Sequence, residues 1–333
     1  MSYKIAVLGV TGAVGREMLK CLEEYKIPCE VKGLASARSV GKKIPFNGGE
    51  IVVEEAKDSA FEGMDYVLGA VEADMSKQFA PAIVKSGAVY IDNSSAFRMD
   101  PEIPLVVPEI NGDDAFTNKG IIANPNCSTI ITMMAVAAIA KMSPIKTMVS
   151  CTYQAVSGAG QKGIDDLVQQ EKAMMAGEPI VPTKFPAQIV RNAIPYIGSY
   201  KDNGYTSEEM KMQNEGRKIL HLPELLVTCT CVRIPVMRSH SIATTVVTEK
   251  KLDLGEVKAA IKAFPGVQLA EDIDGRDYPT PLDTSDQNDV FVGRIRQDLT
   301  NENGIALWCC GDQIRKGAAA NAVQILKLLV DKK

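Results

Sequence analysis

Asn124-Pro125-Asn126-Cys127-Ser128-Thr129 sets one cysteine at a sharp turn, directly before an apolar, Ala-rich stretch (Ile130 to Met142) that reads as a helix. A thiol at a helix N-terminus lies among unpaired backbone N–H groups and at the positive end of the helix dipole, and both favour the thiolate. The same N–H groups are suited to hold the oxyanion formed when sulfur attacks a carbonyl. Covalent catalysis at a carbonyl is the expected chemistry, against the alternative of a buried structural thiol. An imidazole partner can come only from His221 or His240, the two histidines of the chain. His221, between Leu220 and Leu222-Pro223, reads as a helix-end residue. His240 lies in a turn between two strand patterns, from where it could reach across the molecule to Cys127, and is the expected acid/base.

Other candidates surround this pair. Arg233 lies within an otherwise apolar strand, where an unpaired charge would be costly, so a carboxylate or phosphate partner is expected and a ligand is one source of it. Gln154 ends a strand before Ser157-Gly158-Ala159-Gly160. Its amide could contact a substrate and the turn could approach a nicotinamide, although by itself the segment reads as a plain strand–helix turn. Asn93-Ser94-Ser95-Ala96-Phe97-Arg98 follows a strand, at the sheet edge where ligands bind in such folds, which makes Arg98 a candidate anion binder. Glu208 and Lys211 lie three apart on one helix face and read, taken alone, as a surface ion pair.

The elements that must position these residues alternate. Strand patterns at 3–8, 30–35, 66–71 and 88–92 are interleaved with helical stretches, with a hairpin turn at Asn47-Gly48-Gly49, which argues for a mostly parallel sheet covered on both faces. After the Cys127 helix the pattern changes. A long strand from Lys146 to Ala155, a helix to about Met175 and an irregular, Pro-containing segment at 177–200 precede a helix at 207–220. Strands at 225–236, 241–250, 289–297 and 304–311 are expected to pair antiparallel into a second sheet. An amphipathic helix, 316–330, ends the chain.

Gly9-x-x-Gly12-x-x-Gly15 stands between the first strand and the first helix, where glycines permit a tight turn and close approach of a pyrophosphate. A bare strand–helix turn would use the same residues. An NAD site usually carries an acidic residue at the end of the second strand. Here that end reads Leu34-Ala35-Ser36-Ala37-Arg38-Ser39, without a carboxylate, and Arg38 with Ser36 and Ser39 would suit a 2′-phosphate. NADP is therefore expected over NAD, the alternative for Arg38 being a solvated loop arginine.

The chain has 333 residues, 46% hydrophobic and 23% charged, with a net charge of −4. That is enough for two domains with sizeable cores and points away from nucleic acid as a partner. Apolar runs are too short to span a bilayer. No signal peptide is seen before the first strand, so a cytoplasmic location is expected. The eight cysteines contain no C-x-x-C pair, so neither a zinc ribbon nor a metal site is expected, and a disulfide framework is not expected either.

Together these segments resemble the aspartate-β-semialdehyde dehydrogenases of the bacterial NADP-dependent type over nearly the whole chain. The resemblance rests on Gly-x-x-Gly-x-x-Gly, Ser-Ala-Arg-Ser, Asn-Ser-Ser-x-x-Arg, Asn-Pro-Asn-Cys-Ser-Thr, Gln-x-x-Ser-Gly-x-Gly, Glu-x-x-Lys and Arg-Ile-Pro-Val-x-Arg-x-His. It implies an α/β fold: an N-terminal Rossmann domain (1–127 plus 316–333) and an α+β catalytic and dimerisation domain (128–315) with a largely antiparallel sheet, in a homodimer. Cys127 would carry an acyl thioester, with His240 as acid/base and Gln154 beside them. Arg233 would hold the substrate α-carboxylate and Glu208 its ammonium group. Arg98, Lys211 and Asn93 would bind phosphate. Gly9, Thr11, Gly12, Ala13, Val14, Gly15, Ser36, Arg38, Ser39, Ser157, Gly158 and Asn321 would line NADP. The implied reaction is NADPH-dependent conversion of β-aspartyl phosphate to aspartate semialdehyde and phosphate, on the route to lysine or diaminopimelate, threonine and methionine. Alternatives are a reductase of the same fold acting on another acyl phosphate or an acyl-CoA, and a catalytically silent NADP-binding sensor.

Overall fold

The computed structural model describes residues 2–332. The chain folds into two compact units, one running to Asn126 and completed by the chain from Ala318, the other Cys127–Gly317. Cys127, Lys316 and Gly317 thus fall in the second unit.

The first unit runs β1 (Tyr3–Leu8), α1 (Ala13–Glu24), β2 (Cys29–Ala35), the hairpin β3 (Lys43–Phe46) and β4 (Gly49–Val52), β5 (Glu54–Glu55), β6 (Tyr66–Gly69), α2 (Ala73–Lys85), β7 (Val89–Asp92), α3 (Pro108–Asn111) and β8 (Ile121–Ala123). Its main sheet has the order β5-β2-β1-β6-β7-β8, and every pairing is parallel. This is the doubly wound order of a Rossmann fold. Ile5 to Leu8 and Tyr66 to Leu68 are buried, as expected for strands covered on both faces. Asn47 and Gly48 take positive φ between β3 and β4, the conformation a two-residue hairpin turn requires. The C-terminal helix, Ala320–Asp331, packs against α1 within this unit. It is preceded by a π-helical turn at Arg315–Ala319, so the regular helix starts later than its amphipathic pattern.

The second unit contains α4 (Cys127–Met142), β9 (Ile145–Gln154), α5 (Gln161–Ala176), α6 (Ser207–Leu220), β10 (Leu226–Arg233), β11 (His240–Thr248), α7 (Leu254–Ala263), β12 (Val267–Leu269), α8 (Pro281–Thr284), β13 (Val290–Gln297) and β14 (Gly304–Gly311). Its sheet has the order β10-β9-β11-β14-β13-β12. It is largely antiparallel, as expected, in its three inner pairings, but both outer pairings are parallel, so the sheet is mixed. β10 does not pair with β11 at all. Residues 234–239 carry the chain over the end of β9, anchored by Ile234 N–H to the Gln154 carbonyl (3.1 Å) and Val156 N–H to the Val236 carbonyl (2.8 Å). β10 and β11 therefore flank β9, and hydrophobic periodicity has no way to signal such a crossing. Helix α7 and the short strands β5, β8 and β12 also escape the sequence pattern.

Helix α4 is buried continuously from Ser128 to Ile139, packed between the sheet and helices α6 and α7. The irregular segment 177–200 is fixed by polar side chains of α5. Buried Asp166 accepts the backbone N–H groups of Thr183, Lys184 and Phe185. Gln170 accepts those of Ile189 and Val190.

Candidate active site

The crossing over β9 decides where the chemistry sits. It brings Arg233, Gln154 and His240 to the same end of three neighbouring strands, with Arg233 directly beside Gln154 in the register of β10 and β9. Cys127 opens α4, and its Sγ lies 3.4 Å from His240 Nε2. The two residues are 113 positions apart in sequence.

Backbone and side chains of one short stretch hold the imidazole and the guanidinium together. Ala155 donates its N–H to His240 Nδ1 (3.1 Å), and its carbonyl accepts Arg233 Nη1 (2.6 Å). The amide of Gln154 is oriented from both ends. Its Oε1 accepts the Thr152 hydroxyl (3.0 Å), and its Nε2 donates to Glu208 Oε1 (3.2 Å). Gly158 and Gly317 act by having no side chain. A Cβ on Gly158 would lie 2.9 Å from Arg233 Nη1 and 3.1 Å from His240 Nε2, and one on Gly317 would lie 2.8 Å from Cys127 Cβ. Ser239, immediately before His240, is held at φ +70° with its N–H bonded to Gln313 Oε1 (2.8 Å). Such a conformation persists only where its surroundings enforce it.

Burial sets the charges. His240 is fully enclosed, and burial, together with the Arg233 cation, pushes its pKa down to about 3, against the opposing pull of Glu208. The imidazole is thus neutral at physiological pH. Burial also lowers the Arg233 pKa, while Glu208 and Cys127 favour its charged form. The Phe185 ring lies 5.9 Å from the guanidinium carbon. Glu208 and Lys211 do form the pair their spacing indicates (2.8 Å), but Glu208 is buried and turned toward Gln154 and is not a solvated surface group. Its helix starts with a capping box, Thr206 and Glu209 satisfying each other's backbone N–H groups. His221 closes the same helix at φ +53°, a helix-end residue.

In the first unit, Arg98 is buried. It donates from Nε to the Asn124 carbonyl and from Nη2 to the Asn93 carbonyl, each at 2.9 Å. Asn321 donates to Asn124 Oδ1 (2.7 Å) and to the Val106 carbonyl (2.9 Å), and Asn124 in turn donates to Asn93 Oδ1 (2.6 Å). These asparagines brace the strand ends around Arg98.

The Gly9–Gly15 turn fits a dinucleotide. Gly9 has φ +89°, and a Cβ on Gly15 would come within 2.3 Å of the Gly9 carbonyl, so the turn is tight enough to press strand against helix. Gly12 at the N-cap of α1 offers no side-chain cap and, like Arg38 and Ser36 after β2, is exposed, whereas Ser39 is buried. Thr11, Ala13 and Val14 are partly exposed around the turn. Ser157, also expected to line the cofactor, gives its hydroxyl to the Met237 carbonyl and accepts from Gln313. The sequence pattern gave no weight to Thr152, Ala155, Phe185 or Gly317. Only Thr152 carried a local signal, standing two residues before Gln154 and therefore on the same strand face.

Residues 4–117 match the family model "semialdehyde dehydrogenase, NAD binding domain", and residues 136–316 match "semialdehyde dehydrogenase, dimerisation domain". An aspartate-semialdehyde dehydrogenase from Aquifex aeolicus is 48% identical over 335 residues, covering 99% of this chain and 98% of the relative. One from Bacillus subtilis is 45% identical, covering 98% and 96%. The crystal structure of aspartate semialdehyde dehydrogenase II from Vibrio cholerae complexed with ASA superposes with a TM-score of 0.96 at 41% identity, covering 99% of each chain.

Proposed function

The chain belongs to the aspartate-semialdehyde dehydrogenase family of oxidoreductases, and from that premise we propose that it reduces β-aspartyl phosphate to aspartate semialdehyde with NADPH, reversibly, through a thioester on Cys127. The observation that carries this reading is the Cys127 sulfur at the start of α4, 3.4 Å from a buried histidine whose neighbour is a buried arginine.

The Cys127 thiolate attacks the acyl carbon, the bond to the phosphate oxygen breaks, and phosphate leaves with the electron pair, so that a thioester remains. Arg233, planar and held by the Ala155 carbonyl, is suited to clamp the α-carboxylate with two parallel bonds. Glu208 offers a buried carboxylate to the ammonium group, and Gln154 is aligned between Glu208 and His240. Arg98, with Asn93 beside it, and Lys211 are the proposed phosphate anchors. Bound NADPH would supply the hydride that takes the thioester to the aldehyde. The N–H groups opening α4 and His240 Nε2 would hold the charge that develops on the carbonyl oxygen, and Cys127 is released as thiolate when the C=O bond re-forms. Thr11 to Val14, Gly158 and Asn321 would contribute to the cofactor site, with Arg38, Ser36 and Ser39 taking the 2′-phosphate that distinguishes NADP.

The product would feed lysine or diaminopimelate, threonine and methionine synthesis. A homodimer follows from the dimerisation-domain match. We place its interface on the open face of the second sheet, where Val149 and Leu226 are more than half exposed. Among the described residues no helix is long and apolar enough to cross a membrane.

The test is NADP reduction with aspartate semialdehyde, with and without inorganic phosphate. Phosphate-dependent turnover is expected. Activity that is indifferent to phosphate, or that requires an acyl-CoA or an acylglutamyl substrate, would displace this reading in favour of another member of the same architecture.

A further inference from the structure

Resting on that reading, we propose that His240 works as a neutral hydrogen-bond donor from Nε2, locked in that tautomer by the Ala155 peptide, and does not cycle through an imidazolium. Its Nδ1 accepts the Ala155 N–H at 3.1 Å. A backbone N–H can only donate, so Nδ1 keeps a lone pair and the single proton of the neutral ring resides on Nε2.

Nε2 faces two atoms at 3.4 Å, Cys127 Sγ and the Gln154 amide nitrogen. The amide nitrogen is the wrong partner. Thr152 and Glu208 fix the amide with its oxygen toward the hydroxyl and its NH2 toward the carboxylate, and an amide NH2 does not accept. The proton on Nε2 therefore has the sulfur as its acceptor at rest, and a carbonyl oxygen when one occupies the site.

Nothing frees Nδ1 for a second proton. Ala155 cannot turn its N–H away without also turning the Gln154 carbonyl of the same planar peptide, which accepts the Ile234 N–H at 3.1 Å. Gly158 packs against the ring as well, since a Cβ there would lie 3.0 Å from His240 Cε1. A second ring proton would point two donors at each other in a fully buried position next to a guanidinium. The charged groups facing the ring are Cys127 from α4, Glu208 from α6 and Arg233 from β10. In this arrangement the thiolate is favoured by the helix N-terminus, by Arg233 and by the Nε2–H bond, with no imidazolium required.

The bond balance of the reaction agrees. Phosphate departs with the C–O electron pair, and the thiolate departs when the aldehyde carbonyl re-forms. The ring proton can remain on Nε2 throughout, donating first to sulfur and then to the oxyanion.

The chain has only two histidines, so the tautomer can be read directly by NMR of full-length protein labelled with [15N]histidine at neutral pH. A His221→Asn variant assigns the spectrum. The expected result is one pyridine-type nitrogen, Nδ1, and one pyrrole-type nitrogen, Nε2, for His240, unchanged in Cys127→Ala because Ala155 and not the sulfur sets the tautomer. An unperturbed His221 signal verifies that this variant is folded. Two protonated nitrogens, a proton on Nδ1, or loss of a ring proton on removing the sulfur would each overturn the proposal. The semialdehyde assay on the same wild-type sample separates the two readings. Phosphate-dependent activity with an imidazolium spectrum rejects the tautomer alone, whereas the expected spectrum without activity rejects the substrate reading and leaves the tautomer standing.

Discussion

The glycine turn of the first unit is made of consecutive residues, Gly9 to Gly15, and works through backbone shape. The cysteine site of the second unit is made of side chains from α4, β9, α6, β10 and β11, and works through contacts between residues as much as 113 positions apart. The first kind of site is complete once a strand meets a helix. The second exists only after the chain has crossed over β9, and it depends on a supporting layer in which Thr152 aims Gln154, Ala155 fixes both His240 and Arg233, and Gly158 and Gly317 leave room. A cofactor turn should therefore be sensitive mainly at its glycines and at the one charged side chain that reads the nucleotide. The cysteine site should be sensitive in graded steps outward from the sulfur.

The largest effect is expected for Cys127→Ala. Turnover should fall by more than about a thousandfold, as loss of a covalent nucleophile does, while NADP affinity, measured by fluorescence titration, stays near wild type. Retained turnover would mean that the sulfur is not the nucleophile. Arg233→Lys should come next. It keeps the charge but loses the planar fork, and a lost charge-assisted bond corresponds to about a 10- to 100-fold rise in substrate KM. Near wild-type kinetics would make Arg233 a structural cation. Arg238 would be a poor substitute as carboxylate anchor, since it is tied to Asp312 and Asp286.

Arg38→Ala tests the other region. We expect roughly a tenfold loss of NADP affinity with NAD binding unchanged. Equal use of both cofactors by the wild type would remove the argument for a 2′-phosphate site. Thr152→Val probes the supporting layer. With the donor to Gln154 Oε1 gone, KM should rise by about three- to tenfold and Thr152→Ser should restore it. If valine behaves like threonine, Glu208 alone sets the Gln154 amide.

The smallest effect concerns pH. Folded His240 has a pKa of about 3, well below the ordinary histidine value near 6.5. As pH falls through about 6.5 the unfolded chain takes up a proton that the folded chain refuses until near pH 3, so acid progressively favours unfolding in that window. Above it this residue contributes no pH dependence. His240→Gln should make thermal melting less sensitive to pH between about 6.5 and 4. An unchanged slope would mean that the buried ring protonates readily.

Much of this molecule was determined by sequence alone. The parallel sheet of the first unit follows from its alternating strands and helices, the β3–β4 hairpin from Asn47-Gly48, and α4 with Cys127 at its start from an apolar run behind a Pro-containing turn. These are local or periodic properties, and the chain carries them wherever it goes. The order of the second sheet is not of this kind. Strands β10 and β11 look like partners because they are adjacent in sequence, and only packing shows that β9 lies between them. The same holds for the charges. Glu208 and Lys211 have the spacing of a surface pair, and it took burial and contact with Gln154 to turn Glu208 inward. The neutrality of His240 is likewise a tertiary result: composition places a histidine after a strand, but enclosure, Arg233 and the Ala155 peptide decide which nitrogen holds the proton. Dielectric surroundings and hydrogen-bond partners are supplied by residues far along the chain, so no local pattern can encode them.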